Sequence, residues 1–153
     1  MKSILLTKGL STLIDDADFD FLSQWKWFAG SGRGGLYYAK RNSEYKRGEK
    51  RRTIFMHRVL CGSALEVDHI DGNSLNNQRA NLRPCTRSEN CANRKKPKHN
   101  KSGHKGVTWH KATGKWRATI KSKIHLGLFD NFSDAVAAYK SAALKSFGQF
   151  SKT

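Results

Sequence analysis

Between residues 65 and 93 the chain gathers side chains of one chemical kind: Asp68 beside His69, then Asp71-Gly72-Asn73, Asn76-Asn77, Asn81-Leu82 and Ser88-Glu89-Asn90. A histidine, whose ordinary pKa lies close to neutrality, can take a proton from water at physiological pH. Carboxylate and amide oxygens are hard donors that suit Mg²⁺ or Mn²⁺, whereas zinc asks for more nitrogen or sulfur. A base and a hard cation together are what hydrolysis of a phosphodiester needs. The first activates water, and the second neutralises charge on the phosphate and on the departing 3′ oxygen.

Such chemistry sets a demand on the backbone. Neighbouring residues of a strand point to opposite faces, so Asp68 and His69 can serve one phosphate only where the strand ends or twists. The Asp71-Gly72 turn supplies that irregularity, and an aspartate in a tight turn ordinarily bonds its own backbone, which places Asp71 outside any metal shell.

The order of these elements resembles the HNH endonuclease family, in the branch common among phage homing enzymes. Asp68-His69 matches its acid-histidine pair, Asp71-Gly72-Asn73 its turn, Asn81-Leu82 its Asn-Leu step, and Ser88-Glu89-Asn90 its closing helical motif. The resemblance implies a ββα-metal core in which His69 is the general base and Asp68 and Asn90 hold the divalent metal. It also implies that Asn81 braces the loop carrying the base. The third motif position is asparagine rather than histidine, as in part of that family. Upstream, His57-Arg58 matches a further family pair, with packing and phosphate contact as the implied work.

The formal charge of +17 points to an extended polyanion as partner, because each neutralised phosphate releases counterions. Double-stranded DNA is the expected one. Residues 1–30 sum to −1, 31–60 to +7, 61–93 to −1 and 94–153 to +12. A plain electrostatic clamp has no reason to spare residues 61–93, while a cation site needs acids there. No apolar run reaches the length of a membrane span, and no signal-peptide h-region precedes a cleavage site, so the expectation is a soluble protein of the cytoplasm, the host's if phage-encoded. Cys61, Cys85 and Cys91 form neither a disulfide framework nor a zinc knuckle and read as free thiols. No obligate protein partner is evident.

Around the centre, Ser3–Thr7 and Ser11–Ile14 read as short strands about a Gly9 turn, and Asp15–Asp18 as an acidic helix start that puts Phe21, Leu22 and Trp25 on one face. Trp25–Ala29 and Leu36–Arg41 read as strands joined by a glycine-rich loop that lacks the context of a nucleotide-binding motif. Asn42–Arg52 is a basic excursion, Thr53–Leu60 an apolar run, and Arg94–Gly103 a basic linker broken at Pro97.

From Gly106 three strand signals follow, at 106–110, 115–121 and 124–129, and then a helix with Ser133 as N-cap, apolar positions Val136, Tyr139, Ala143 and Phe147, and Gly148 as its stop. Gly106-Val-Thr-Trp109, Gly114-Lys-Trp116-Arg-Ala118 and His125-Leu-Gly127-Leu-Phe129 resemble an AP2 domain over residues 103–150, which implies a three-stranded sheet that binds DNA. Alternation turns Trp116, Ala118 and Ile120 towards the helix and Lys115, Arg117, Thr119 and Lys121 away from it. That face, with Lys123 just beyond and Arg58 near the other motif, provides the DNA contacts, Arg117 being first choice for a base edge.

The expectation is thus an α+β chain: a small N-terminal αβ unit (1–52), a ββα-metal nuclease core (53–94), a basic linker (95–102) and an AP2-like unit of three antiparallel strands and one helix (103–153). A non-cutting DNA-binding regulator on the same scaffold is the alternative, and an RNA-binding protein a second.

Overall fold

A computed structural model describes the chain except residues 63–65, 95, 97–98, 122–123 and 152–153, and the side chain of Arg33. Lys123 and Pro97 therefore lie outside the described residues. The chain divides into two compact units, Met1–Thr86 and Arg87–Thr153.

In the first unit, β1 (Lys2–Leu5) and β2 (Ser11–Ile14) form an antiparallel hairpin pairing Lys2 with Ile14. The acidic stretch makes one 3-10 turn at Asp16–Asp18 before the short helix α1 (Phe19–Ser23). Strands β3 (Phe28–Ser31), β4 (Tyr37–Asn42) and β5 (Thr53–Phe55) form a second antiparallel sheet in that order. The apolar run at 53–60 is thus split: it begins as strand and turns into helix α2 (Met56–Cys61), which buries Met56, His57 and Leu60. Gly62 stops the helix at φ 56°, and its N–H bonds the Arg58 carbonyl at 3.0 Å. A left-handed residue at this position suits glycine.

Strands β6 (Glu66–His69) and β7 (Leu82–Cys85) form a two-stranded ribbon that pairs Asp68 with Arg83 and His69 with Leu82. One core joins these pieces: Leu6, Ile14, Leu22, Trp27, Ala39, Met56, Leu60, Val67 and Leu82 belong to a single buried cluster. Segment 1–52 and the ribbon are therefore packed together, with Ile14, Leu22 and Met56 fully enclosed. Each such side chain contributes about 1.5–3 kcal/mol by leaving water.

The second unit begins with α3 (Arg87–Asn93) and continues as β8 (Val107–His110), β9 (Lys115–Ile120) and β10 (Ile124–Phe129), an antiparallel sheet in the order β10-β9-β8. Helix α4 (Phe132–Phe147) packs on it, and Val107, Ala118 and Ala135 form the buried centre with Trp116, Leu126, Phe129 and Tyr139 around them.

This helix starts earlier than expected. Its N-cap is Asn131, with extended backbone, rather than Ser133, because the Phe132 ring packs edge-on against Trp116 at 4.8 Å and draws that residue into the first turn. Its end is at Gly148, as the sequence indicates, with φ 49°. No helix among the described residues is long and apolar enough to cross a membrane.

Gly106 marks the tightest point of this unit. Its φ is 67°, its carbonyl accepts the Thr119 N–H at 2.8 Å, and a Cβ there would strike the Tyr139 ring and the Thr119 carbonyl. Gly106→Ala is expected to destabilise the second unit by on the order of 2–4 kcal/mol, combining backbone strain with overpacking. Thermal or urea unfolding of the two proteins measures it, and equal stability would mean the ring moves aside freely.

Candidate active site

The paired strands of the ribbon fix the two residues with the most evident chemistry. Strand β6 ends at His69, so the alternation problem is solved by termination: Asp68 is the last but one residue, His69 the last, and both are buried. Gly72 N–H bonds the His69 carbonyl at 2.8 Å, which closes the turn immediately after it.

Asp68 faces Arg83 across the ribbon. Both Nε and Nη2 of the guanidinium donate to its Oδ2, at 3.0 and 2.8 Å, and both side chains are largely enclosed. Arg83 follows from the cross-strand register, which the sequence does not print, and it was not among the expected site residues. An ionised carboxylate offers several acceptor positions on its two oxygens, the hard donor type that a hard cation takes. Among the described residues no group of three or more histidine, cysteine, aspartate or glutamate side chains could hold a metal ion. The donor set nonetheless fits a magnesium-type ion, which keeps several waters and needs few protein oxygens. It does not fit zinc.

Burial holds the His69 imidazole below its ordinary pKa, against the upward pull of the Asn77 hydrogen bond and of Asp71 and Asp68. His69 is accordingly neutral at pH 7 and able to accept a proton. Its ring meets His57 edge-on at 5.1 Å, and Tyr38 and Phe55 complete an aromatic wall around His57.

Burial drives His57 down to about 3, helped by His69 where that ring is protonated at low pH and by the cationic Arg58 and Lys40. A base held neutral in the fold but free to protonate when unfolded contributes stability that is complete above about pH 6.5 and is lost as the pH falls towards 3. Unfolding free energy is therefore expected to decline through that window by up to about 1.4 kcal/mol per pH unit for this one proton. His57→Gln should flatten the decline, as denaturant midpoints between pH 7 and 4 would show. An unchanged slope would assign the loss to other groups.

The loop between β6 and β7 is held by amides. Asn81 accepts the Asp71 N–H at 3.0 Å, and its Nδ2 donates to Asp71 Oδ1 at 3.0 Å and to the Asn76 carbonyl at 2.8 Å. Asp71 also accepts the Asn73 N–H at 2.7 Å and the Asn76 amide at 2.9 Å. Burial raises the Asp71 pKa, but these bonds and His69 outweigh it and keep the carboxyl below the usual range. Asp71 thus serves its own turn, as an aspartate in a tight turn does.

The expected DNA-contacting residues fall in two places. Arg58 is exposed on α2, its guanidinium over the Phe55 ring at 5.4 Å. Arg117 is exposed on β9, between Thr108 and Leu128 of the neighbouring strands, and Lys115 pairs with the exposed Asp130 at 3.0 Å. Strand β9 ends at Ile120, so the alternation does not extend to Lys121. That residue takes φ 53°, and its Nζ lies 5.3 Å from the Phe147 ring of α4. Asn90 stands in α3, within the second unit.

Residues 56–92 match the family model of the HNH endonucleases, a stretch that contains the ribbon, its loop and Asp68, His69, Asn81 and Asn90. Protein 3.8 of Escherichia phage T7 is 47% identical to this chain over 57 residues, which is 37% of this chain and 47% of that protein. The chain thus covers about half the length of that relative. No solved structure matches it.

Proposed function

We propose that this chain is a metal-dependent endonuclease that hydrolyses phosphodiester bonds of double-stranded DNA, of the homing or free-standing phage type, acting in the host cytoplasm. The observation that carries the reading is the buried, neutral His69 at the end of β6, next to Asp68, within the stretch that matches the HNH endonucleases. A nuclease domain of this family implies nucleic acid as substrate, and the net charge of +17 agrees.

In this reading Asp68 and Asn90 would hold Mg²⁺ or Mn²⁺. The bound ion would neutralise charge on the scissile phosphate and on the leaving 3′ oxygen. His69, neutral and fixed by the turn behind it, removes a proton from the attacking water. Arg83 orients the Asp68 carboxylate through its two hydrogen bonds. Asn81 braces the loop and so fixes where His69 stands. Arg58 contacts phosphate.

The β8–β10 sheet, read as AP2-like, supplies site preference through its helix-free face. On that face Lys115 meets phosphate, and Arg117 reads a base edge. One good bidentate contact discriminates between bases by about 1–3 kcal/mol. Arg117→Ala should therefore flatten the preference among DNA sites while leaving cutting of any sequence possible. Sequencing the cut ends from a random library measures this, and an unchanged preference would remove Arg117 from base reading.

The test of the function is conversion of supercoiled plasmid to nicked or linear DNA by the purified chain. Conversion with Mg²⁺ or Mn²⁺ and none with EDTA is expected. Binding without conversion under every metal condition would identify a non-cutting DNA-binding regulator instead.

A further inference from the structure

We propose that Asn77 and Thr12 are positioning residues that hold His69 as its Nε2–H tautomer, so that Nδ1 is the nitrogen that accepts the proton. The proposal rests on the reading of His69 as general base, and neither residue was singled out by the sequence.

The argument is a chain of donors and acceptors. The Thr12 Oγ lies 2.8 Å from the Leu75 carbonyl oxygen, which can only accept, so the hydroxyl proton is committed to it. The same Oγ lies 2.7 Å from Asn77 Nδ2, and with its proton spent it must accept there. That fixes the amide: Nδ2 faces Thr12, and Oδ1 faces His69. Since Oδ1 accepts only, the His69 Nε2 at 3.2 Å must be the nitrogen with the proton. Flipping the amide would set the Thr12 hydroxyl against two acceptors with one proton and would leave the imidazole facing an NH₂.

The site is built to resist that flip. Thr12 and Asn77 are both wholly buried, where an unmatched polar group costs about 1–3 kcal/mol. The backbone clamps the same segment: Leu13 N–H bonds the Leu75 carbonyl and Asn77 N–H bonds the Leu13 carbonyl, each at 2.8 Å. Strand β2 thus reaches the base through two backbone bonds and one hydroxyl, which gives the N-terminal hairpin a part in the chemistry.

Two-bond ¹H–¹⁵N spectra of the metal-free protein above pH 7 distinguish the neutral tautomers, with the His69 signals assigned by their loss in His69→Gln. The wild type should show Nε2–H. Thr12→Val and Asn77→Leu, nearly isosteric, should each give a mixture or Nδ1–H and lower kcat for plasmid nicking by at least about tenfold with KM little changed. Thr12→Ser, which keeps the hydroxyl, should restore the Nε2–H form and most of kcat. A merely structural role would lower the melting temperature and leave the tautomer as it was.

A wild-type Nδ1–H tautomer, or Nε2–H retained with undiminished kcat in Thr12→Val, overturns the proposal. Should Asn77→Leu fail to fold, Thr12→Val decides alone. A wild type that does not cut under any metal condition would refute the proposed function, while the spectra would still decide the tautomer.

Discussion

His69→Ala is expected to lower the metal-dependent cleavage rate by about 10²–10⁴-fold, the usual contribution of a positioned general base. Affinity for DNA should change little, because the base acts in the transition state and not in holding the substrate. The side chain is buried and bonded to Asn77, so its loss leaves an acceptor unmatched and costs roughly 1–3 kcal/mol of stability. Melting curves recorded beside the cleavage rates separate the two effects. A variant that is folded, binds DNA and still cuts at the wild-type rate would remove His69 from the mechanism.

The second large effect is expected at Asn81. Alanine there deletes three hydrogen bonds, from the Asp71 N–H and to Asp71 Oδ1 and the Asn76 carbonyl, all at a residue that is 9% exposed. At about 1 kcal/mol each, with the penalty for buried groups left unmatched, the loss is on the order of 3 kcal/mol. For a unit of this size that lowers the melting temperature by on the order of 10 °C. Cleavage should fall as well, since the turn that follows His69 loses its brace, and misplacement of a reacting group by about 1 Å can cost about 10²-fold. Melting within about 2 °C of wild type would show that the loop is held by its backbone bonds alone.

Much of this was legible in the sequence because it rests on local order. The Asp68-His69 pair, the Asp71-Gly72 turn and the Gly148 stop are each set by neighbours in the chain, and the structure places a strand end, a closed turn and a helix terminus there. The Lys115 to Ile120 alternation is likewise a property of consecutive residues.

What escaped the sequence depends on register and on distant contacts. Arg83 meets Asp68 only because of the β6–β7 pairing. Thr12 meets Asn77 across 65 positions, and nothing in either residue type marks the pair. The core shared by 1–52 and the ribbon was hidden for the same reason, since the joining of Ile14, Met56 and Leu82 in one buried cluster leaves no periodic trace. The early start of α4 turns on a ring contact between Phe132 and Trp116, which overrides the local preference for Ser133 as cap.

The central claim is that the Asp68–His69 ribbon is the metal-dependent cutting centre, and the most direct measurement is the Mg²⁺ dependence of nicking by wild type and Asp68→Asn side by side. Removing one carboxylate charge should shift the half-maximal Mg²⁺ concentration upward by at least about tenfold and lower the plateau, because a hard cation loses its anionic ligand. Superimposable curves for the two proteins would place the metal, and with it the chemistry, elsewhere in the chain.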